Sequence, residues 1–230
     1  MTQRYIILFL LFLLRFNFIA MSQTSQKTYT LLSLGDSYTI GESVSEQERF
    51  PNQVVDLLSK EKIHFHAPTI VAKTGWTTDE LADAIKHTEL KKKYDFVTLL
   101  IGVNNQYRER DLSNYKKEFR NLLETAIDFA GGKKEYVIVV SIPDWGVTPF
   151  VVNDAKKRTG EQISKEVAAY NKVNEQIAKQ EKVHYVDIYT ASQEAKNDPS
   201  LLAQDGLHPS GKMYTEWAKK ITKKIIETLR

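Results

Sequence analysis

Five separated segments carry residue types that together can cleave an acyl bond. Ser37 lies in the run Gly35-Asp36-Ser37-Tyr38. A serine hydroxyl is a poor nucleophile until a base takes its proton. Histidine is the usual base, and a carboxylate fixes its tautomer and orientation. The histidines are His64, His66, His87, His184 and His208. Of these, His208 alone sits in a Gly/Pro-flanked loop with a carboxylate, Asp205, three residues before it. In a turn, that spacing folds the carboxylate back onto Nδ1 and leaves Nε2 for Ser37. Such chemistry also needs donors for a developing oxyanion. The side-chain amide of Asn104 and the backbone N–H groups of Gly75 and Ser37 can supply them. Each residue also has an ordinary explanation. Asp205 to Pro209 reads equally as a loop leading into a helix, Gly75 as a turn glycine, and Asn104-Asn105 as a turn pair. Their convergence at one place is what favours chemistry.

That convergence depends on the elements between them. Tyr29 to Leu34 reads as a buried strand, and Phe50 to Lys60 as a helix with Pro51 in its first turn. Thr69 to Ala72 is a short strand. Thr77 to His87 is a helix, with Thr77 and Glu80 spaced as a capping box. Phe96 to Ile101 is the clearest buried strand. A helix from Leu112 to Ala130 places Leu112, Tyr115, Phe119, Leu122 and Ala126 on one face, and Gly131-Gly132 stops it. Tyr136 to Val140 is a fourth strand. A helix over Gln162–Gln180 and a strand over Val183–Ile188 follow, and Lys212 to Leu229 is the last helix. Trp217, Ile221 and Ile225 face the core from it. Strands alternating with helices predict an α/β fold, a three-layer α/β/α sandwich around a five-stranded parallel sheet. In an open parallel sheet, ligands bind beyond the carboxyl ends of the strands. Gly35–Tyr38, Gly75–Thr77, Gly102–Asn105 and Pro143–Gly146 each follow a predicted strand, and Asp205–Pro209 comes some distance after the fifth.

Composition narrows the function classes. The chain has 230 residues, 27% charged and 42% hydrophobic, with 32 basic and 29 acidic side chains. A net charge of +3 gives no electrostatic footprint for nucleic acid. The absence of cysteine excludes disulfides, thiolate metal sites, a cysteine nucleophile and a lipidated cysteine. Residues 1–22 stand apart. Arg4 precedes an uninterrupted apolar run from Tyr5 to Leu14, the length of a signal-peptide core. Ala20-Met21-Ser22 offers a cut after Ser22. This predicts an exported protein, periplasmic or secreted, with a single domain over 23–230. Arg15 followed by the apolar stretch Phe16–Ala20 keeps an uncleaved anchor open, and that segment is the only expected membrane contact.

The combined blocks resemble the SGNH, or GDSL, hydrolase superfamily. Gly35-Asp36-Ser37 resembles its first block, Gly75 its second, Gly102-Val103-Asn104-Asn105 its third, and Asp205 with His208-Pro209 its last. The resemblance spans residues 35–209 and implies a flavodoxin-like SGNH fold. It also implies Ser37 as nucleophile, Asp205 and His208 as the other triad members, and Ser37, Gly75 and Asn104 as the oxyanion hole. It implies a serine esterase of the GDSL esterase/lipase type, on the lysophospholipase-like side, acting on a small-molecule ester without metal or cofactor. Two positions depart from the pattern. Tyr38 stands where Leu is usual, and Asn105 stands where Asp is usual, which puts the local hydrogen bonding there in question.

The substrate is less determined. The loop Asp144–Val152 is unusually apolar for a surface connection, so Trp145 and Phe150, with Tyr38, are expected to bind substrate. One reading is a wall for an acyl chain; another is aromatics packing on the sheet edge. A carbohydrate O-acetyl esterase would use Trp145 and Tyr38 as stacking platforms. A non-catalytic binding module retaining the fold is a further alternative. So is a metal-dependent phosphoesterase using Asp36, Asn104 and His208, although the further ligands such a centre needs are missing from the sequence. His64 and His66 have the spacing of one strand face but no third ligand nearby. The Lys91-Lys92-Lys93 run reads as a solvated helix end.

Overall fold

The computed structural model describes residues 27–230, so the reading of residues 1–22 lies outside the described residues. The described residues begin with β1 (Thr28–Tyr29) and β2 (Leu31–Asp36), then a single-turn helix α1 (Ser37–Ile40) and α2 (Phe50–Lys60). Next come β3 (His64–Phe65), β4 (Thr69–Lys73), α3 (Thr78–His87), β5 (Phe96–Leu100), α4 (Val103–Tyr107) and α5 (Leu112–Phe129). The rest comprises β6 (Val137–Val140), α6 (Gly160–Glu181), β7 (His184–Val186), α7 (Tyr189–Ser192) and α8 (Gly211–Leu229), with short 3-10 turns between. The main sheet has five parallel strands in the order β4-β2-β5-β6-β7. The expected three-layer α/β arrangement is what forms. α2 packs on α8, while α5 packs on both α3 and α6.

Every residue of β2, β5 and β6 is buried, as a sheet covered on both faces requires. Two polar residues inside it satisfy each other, Thr98 Oγ1 donating to Ser33 Oγ at 2.9 Å. The order places β2, β4 and β5 like strands 1, 2 and 3 of a flavodoxin-type sheet. Its switch point, where crossovers leave in opposite directions, therefore lies between β2 and β5. Ser37 and Asn104 follow those two strands.

Several predicted boundaries move, each for a local reason. The single strand expected over Tyr29–Leu34 is split. β1 pairs with β3 in a separate two-stranded sheet, whereas β2 belongs to the main sheet and runs on to Asp36. Thr30 marks the break, its N–H and hydroxyl both donating to Asp95 Oδ2 at 2.9 Å. The strand expected over Val183–Ile188 keeps only three residues. Val183 N–H instead closes the end of α6 on Ala178 O, and the N–H groups of Ile188 and Tyr189 both go to Ser141 Oγ. Leu112, expected on the buried face, is the first residue of α5 and 37% exposed. Tyr115, Phe119, Leu122 and Ala126 are buried as expected. Lys91–Lys93 lies beyond the end of α3 rather than in its last turn. The capping box of α3 forms, Thr77 N–H donating to Glu80 Oε2 at 2.8 Å. No helix among the described residues is long and apolar enough to cross a membrane.

Candidate active site

β2 ends at Asp36, and the chain turns at once into α1 with Ser37 as its first residue. Asp36 caps this turn, its Oδ1 accepting the Tyr38 N–H at 3.0 Å. The turn is also held from the far end of the chain. Tyr214 in α8 donates its hydroxyl to Tyr38 O at 3.0 Å. Ser37 is 5% exposed. The Asp36 carboxyl is wholly buried, and burial pushes its pKa up to about 7.

The 205–208 loop folds as its spacing predicts. Asp205 Oδ1 accepts the N–H groups of Leu207 and His208 at 2.9 Å each, and Oδ2 meets His208 Nδ1 at 2.7 Å. The same Oδ2 accepts the Ser43 hydroxyl at 2.6 Å. Burial raises the Asp205 pKa, but the Ser43 hydroxyl, the His208 ring and the two N–H groups outweigh it and hold it at about 2. The carboxylate therefore stays charged beside the imidazole throughout the neutral range. The Tyr38 ring lies 5.4 Å from the His208 ring, centroid to centroid.

Gly75 and Asn104 come from neighbouring segments that hold each other. Gly75 has φ of +85°, a left-handed conformation that favours glycine. Asn104 in α4 donates its amide to Trp76 O at 2.9 Å. That uses one of the amide's two hydrogens and leaves the other. One helical turn on, Arg108 donates to Gly75 O at 2.6 Å. Gly102 precedes α4 with φ of +127°, and a Cβ there would sit 2.4 Å from Tyr115 Oη. Asn105 replaces the usual Asp with a two-point clasp. Its Oδ1 accepts the Thr78 N–H at 3.0 Å and its amide donates to Thr78 Oγ1 at 2.7 Å. A carboxylate could accept the first but not donate the second. Asn105 thereby fixes the start of α3 against α4.

One cavity of about 200 Å³ gathers Ser37, Tyr38, Gly75, Asn104 and His208. Its apolar side includes Val103, Tyr107, Trp145, Phe150 and Leu207. Trp145 and Phe150 line it, whereas Val152 in the same loop is 79% exposed. The Trp145 indole N–H donates to Gln106 Oε1 at 2.8 Å, and the Arg158 guanidinium stacks 5.5 Å from its ring. Arg158 is itself fixed by Asp154 at 3.0 Å and Glu166 at 2.9 Å. The Phe150 N–H donates to Gly206 O at 3.3 Å, joining this wall to the loop that carries His208. Ser43, Arg108 and Gln106 escape sequence reasoning, since each acts through one long-range polar contact that leaves no periodic trace. Among the described residues, no three His, Asp or Glu side chains group as metal ligands. His66 follows β3, and its backbone N–H pairs with Tyr29 O.

Fold and cavity define the class: a parallel α/β domain with a serine turn, a His–Asp pair, Gly75 and Asn104 around one cavity at the carboxyl edge of its sheet. Residues 33–215 match the GDSL-like Lipase/Acylhydrolase family, and the chain belongs to that family of ester-hydrolysing enzymes. Among solved structures it resembles that of TesA, with a TM-score of 0.67, 16% identity, and 86% of this chain and 99% of that chain covered. The lipase/acylhydrolase from Enterococcus faecalis gives 0.65 at 22% identity, covering 86% and 95%. Axe2, an acetylxylan esterase from Geobacillus stearothermophilus, gives 0.63 at 24% identity, covering 88% and 96%. No curated protein matches the sequence.

Proposed function

We propose that the protein is a serine esterase that hydrolyses esters of small acyl groups. His208 takes the Ser37 proton as Ser37 Oγ attacks the ester carbonyl. Asp205 stabilises the imidazolium and keeps Nδ1 protonated. The Ser37 and Gly75 N–H groups and the Asn104 amide receive the tetrahedral oxyanion. Collapse breaks the ester C–O bond, and the leaving alkoxide takes the proton from His208. Water, deprotonated by His208, then attacks the acyl-enzyme and releases the acid and free Ser37. The observation that carries this reading is the meeting of Ser37, Gly75, Asn104 and His208 around one cavity, with Asp205 bonded to the far side of the imidazole.

The cavity's size supports a limit on the acyl group. A closed apolar cavity of about 150 Å³ holds one benzene molecule. About 200 Å³ therefore suits a short acyl chain, and a long fatty chain would have to leave it. Tyr38 and Trp145 are each only 2% exposed, which speaks against either serving as an open sugar platform. An acetyl group carried on a carbohydrate alcohol fits the same volume and is the second reading. A hydrolysis panel of acetyl, butyryl and octanoyl esters, a lysophospholipid and an acetylated sugar tests both. Turnover should fall beyond short acyl groups, and Ser37→Ala should abolish both hydrolysis and fluorophosphonate labelling. Retained hydrolysis in Ser37→Ala would refute the mechanism, and a preference for the lysophospholipid would refute the size limit.

A further inference from the structure

We infer that Arg108 is a positioning residue that locks the two oxyanion segments, the Gly75 turn and α4, into one unit. The inference rests on the reading of Gly75 and Asn104 as oxyanion donors. Those donors lie on different segments, and their separation must match a single oxygen atom. Two contacts fix that separation. Asn104 donates to Trp76 O at 2.9 Å, and Arg108 donates to Gly75 O at 2.6 Å. The two donors are four residues apart in one helical stretch, so they present to the same side. They bond consecutive carbonyls of the Gly75-Trp76 turn. Arg108 also pairs with Glu80 Oε1 at 3.2 Å. Glu80 closes the capping box of α3 by accepting the Thr77 N–H. The planar guanidinium thus ties α4, the Gly75 turn and the start of α3 together, a geometry a lysine ammonium cannot reproduce.

Arg108 does not line the cavity. It therefore acts through Gly75 and should matter only when the oxyanion forms. An interaction made only in the transition state lowers kcat and kcat/KM together and leaves KM alone. Misplacing a catalytic group by about 1 Å can cost on the order of 10²-fold. Arg108→Met should lower kcat by about 10- to 100-fold on a short-chain ester, with KM within about twofold. Arg108→Lys should fall between, since it keeps one donor and loses the fork. In an Asn104→Ala background, where the shared unit is already broken, Arg108→Met should cost less than about threefold.

Steady-state kinetics on the full chain and its variants, with thermal melts to confirm folding, decides the matter. Unchanged kcat in Arg108→Met, a rise in KM with kcat retained, or additive losses with Asn104→Ala would each overturn the inference. If Arg108→Met fails to fold, the Arg108→Lys cycle with Asn104→Ala gives the same test. Should Asn104→Ala alone leave kcat untouched, the oxyanion assignment falls and this inference with it. A large Asn104→Ala loss beside a silent Arg108 would overturn this inference alone.

Discussion

Replacing Asp36 by Asn should reverse its effect on stability as pH rises. Asp36 is wholly buried, with Oδ1 bonded to the Tyr38 N–H and Oδ2 without a partner. Burial moves its pKa from 3.8 to about 7. The folded protein therefore holds this proton up to about pH 7, while the unfolded chain releases it near pH 4. Because the folded state binds the extra proton, stability falls across that window as pH rises. Three pKa units at about 1.4 kcal/mol each amount to roughly 4 kcal/mol from this one group. Asn keeps the Oδ1 acceptor and carries no charge. Its amide sits where Oδ2 lacks a partner, a pH-independent cost of about 1–3 kcal/mol. Asp36→Asn should thus be less stable than the parent near pH 4 and more stable by about 1–3 kcal/mol above pH 7. Urea unfolding of both proteins in steps from about pH 4 to pH 8 measures the difference. Asp154 and Asp205 titrate near 2, below the window. Burial also lowers the His184 pKa, but that term is common to both proteins and cancels. A stability difference that stays constant with pH would refute the reasoning.

Two further substitutions test the frame around the cavity. Gly102→Ala would place a Cβ 2.4 Å from Tyr115 Oη and 2.9 Å from Ile142 Cδ1 at a φ of +127°. It should cost on the order of 3 kcal/mol and lower Tm by roughly 10 °C in a thermal melt; an unchanged Tm would mean the turn can relax freely. Ser43 has φ of +63° and donates to Asp205. Ser43→Gly removes that hydroxyl while suiting the backbone, so Tm should hold or rise and kcat should fall several-fold; full activity would show that Asp205 needs no such partner.

The alternating elements and the four blocks were legible because hydrophobic runs, caps and glycine turns are local signals. Phe50–Lys60 is legible at its observed limits, helped by Pro51 in its first turn. Sequence failed where a side chain took over from the backbone ladder. Asp95 bends the chain at Thr30, and the Ser141 hydroxyl intercepts the N–H groups that would have prolonged β7. At the site, Asp205 and His208 were readable from their spacing of three. The Ser43 contact to Asp205 bridges 162 positions and has no local mark. The departure at Asn105 was visible, but its meaning required Thr78, which another segment brings to it.

The backbone bond from Phe150 to Gly206 has a practical consequence for redesign. It couples the apolar wall of the cavity to the loop that carries His208, the proposed general base. Swapping the 144–153 segment for a roomier one would change chain-length preference and also release the neighbour of Asp205 and His208. The two stretches should be transplanted as a matched pair. A graft of the wall alone should give an enzyme that accepts larger esters and turns each of them over slowly.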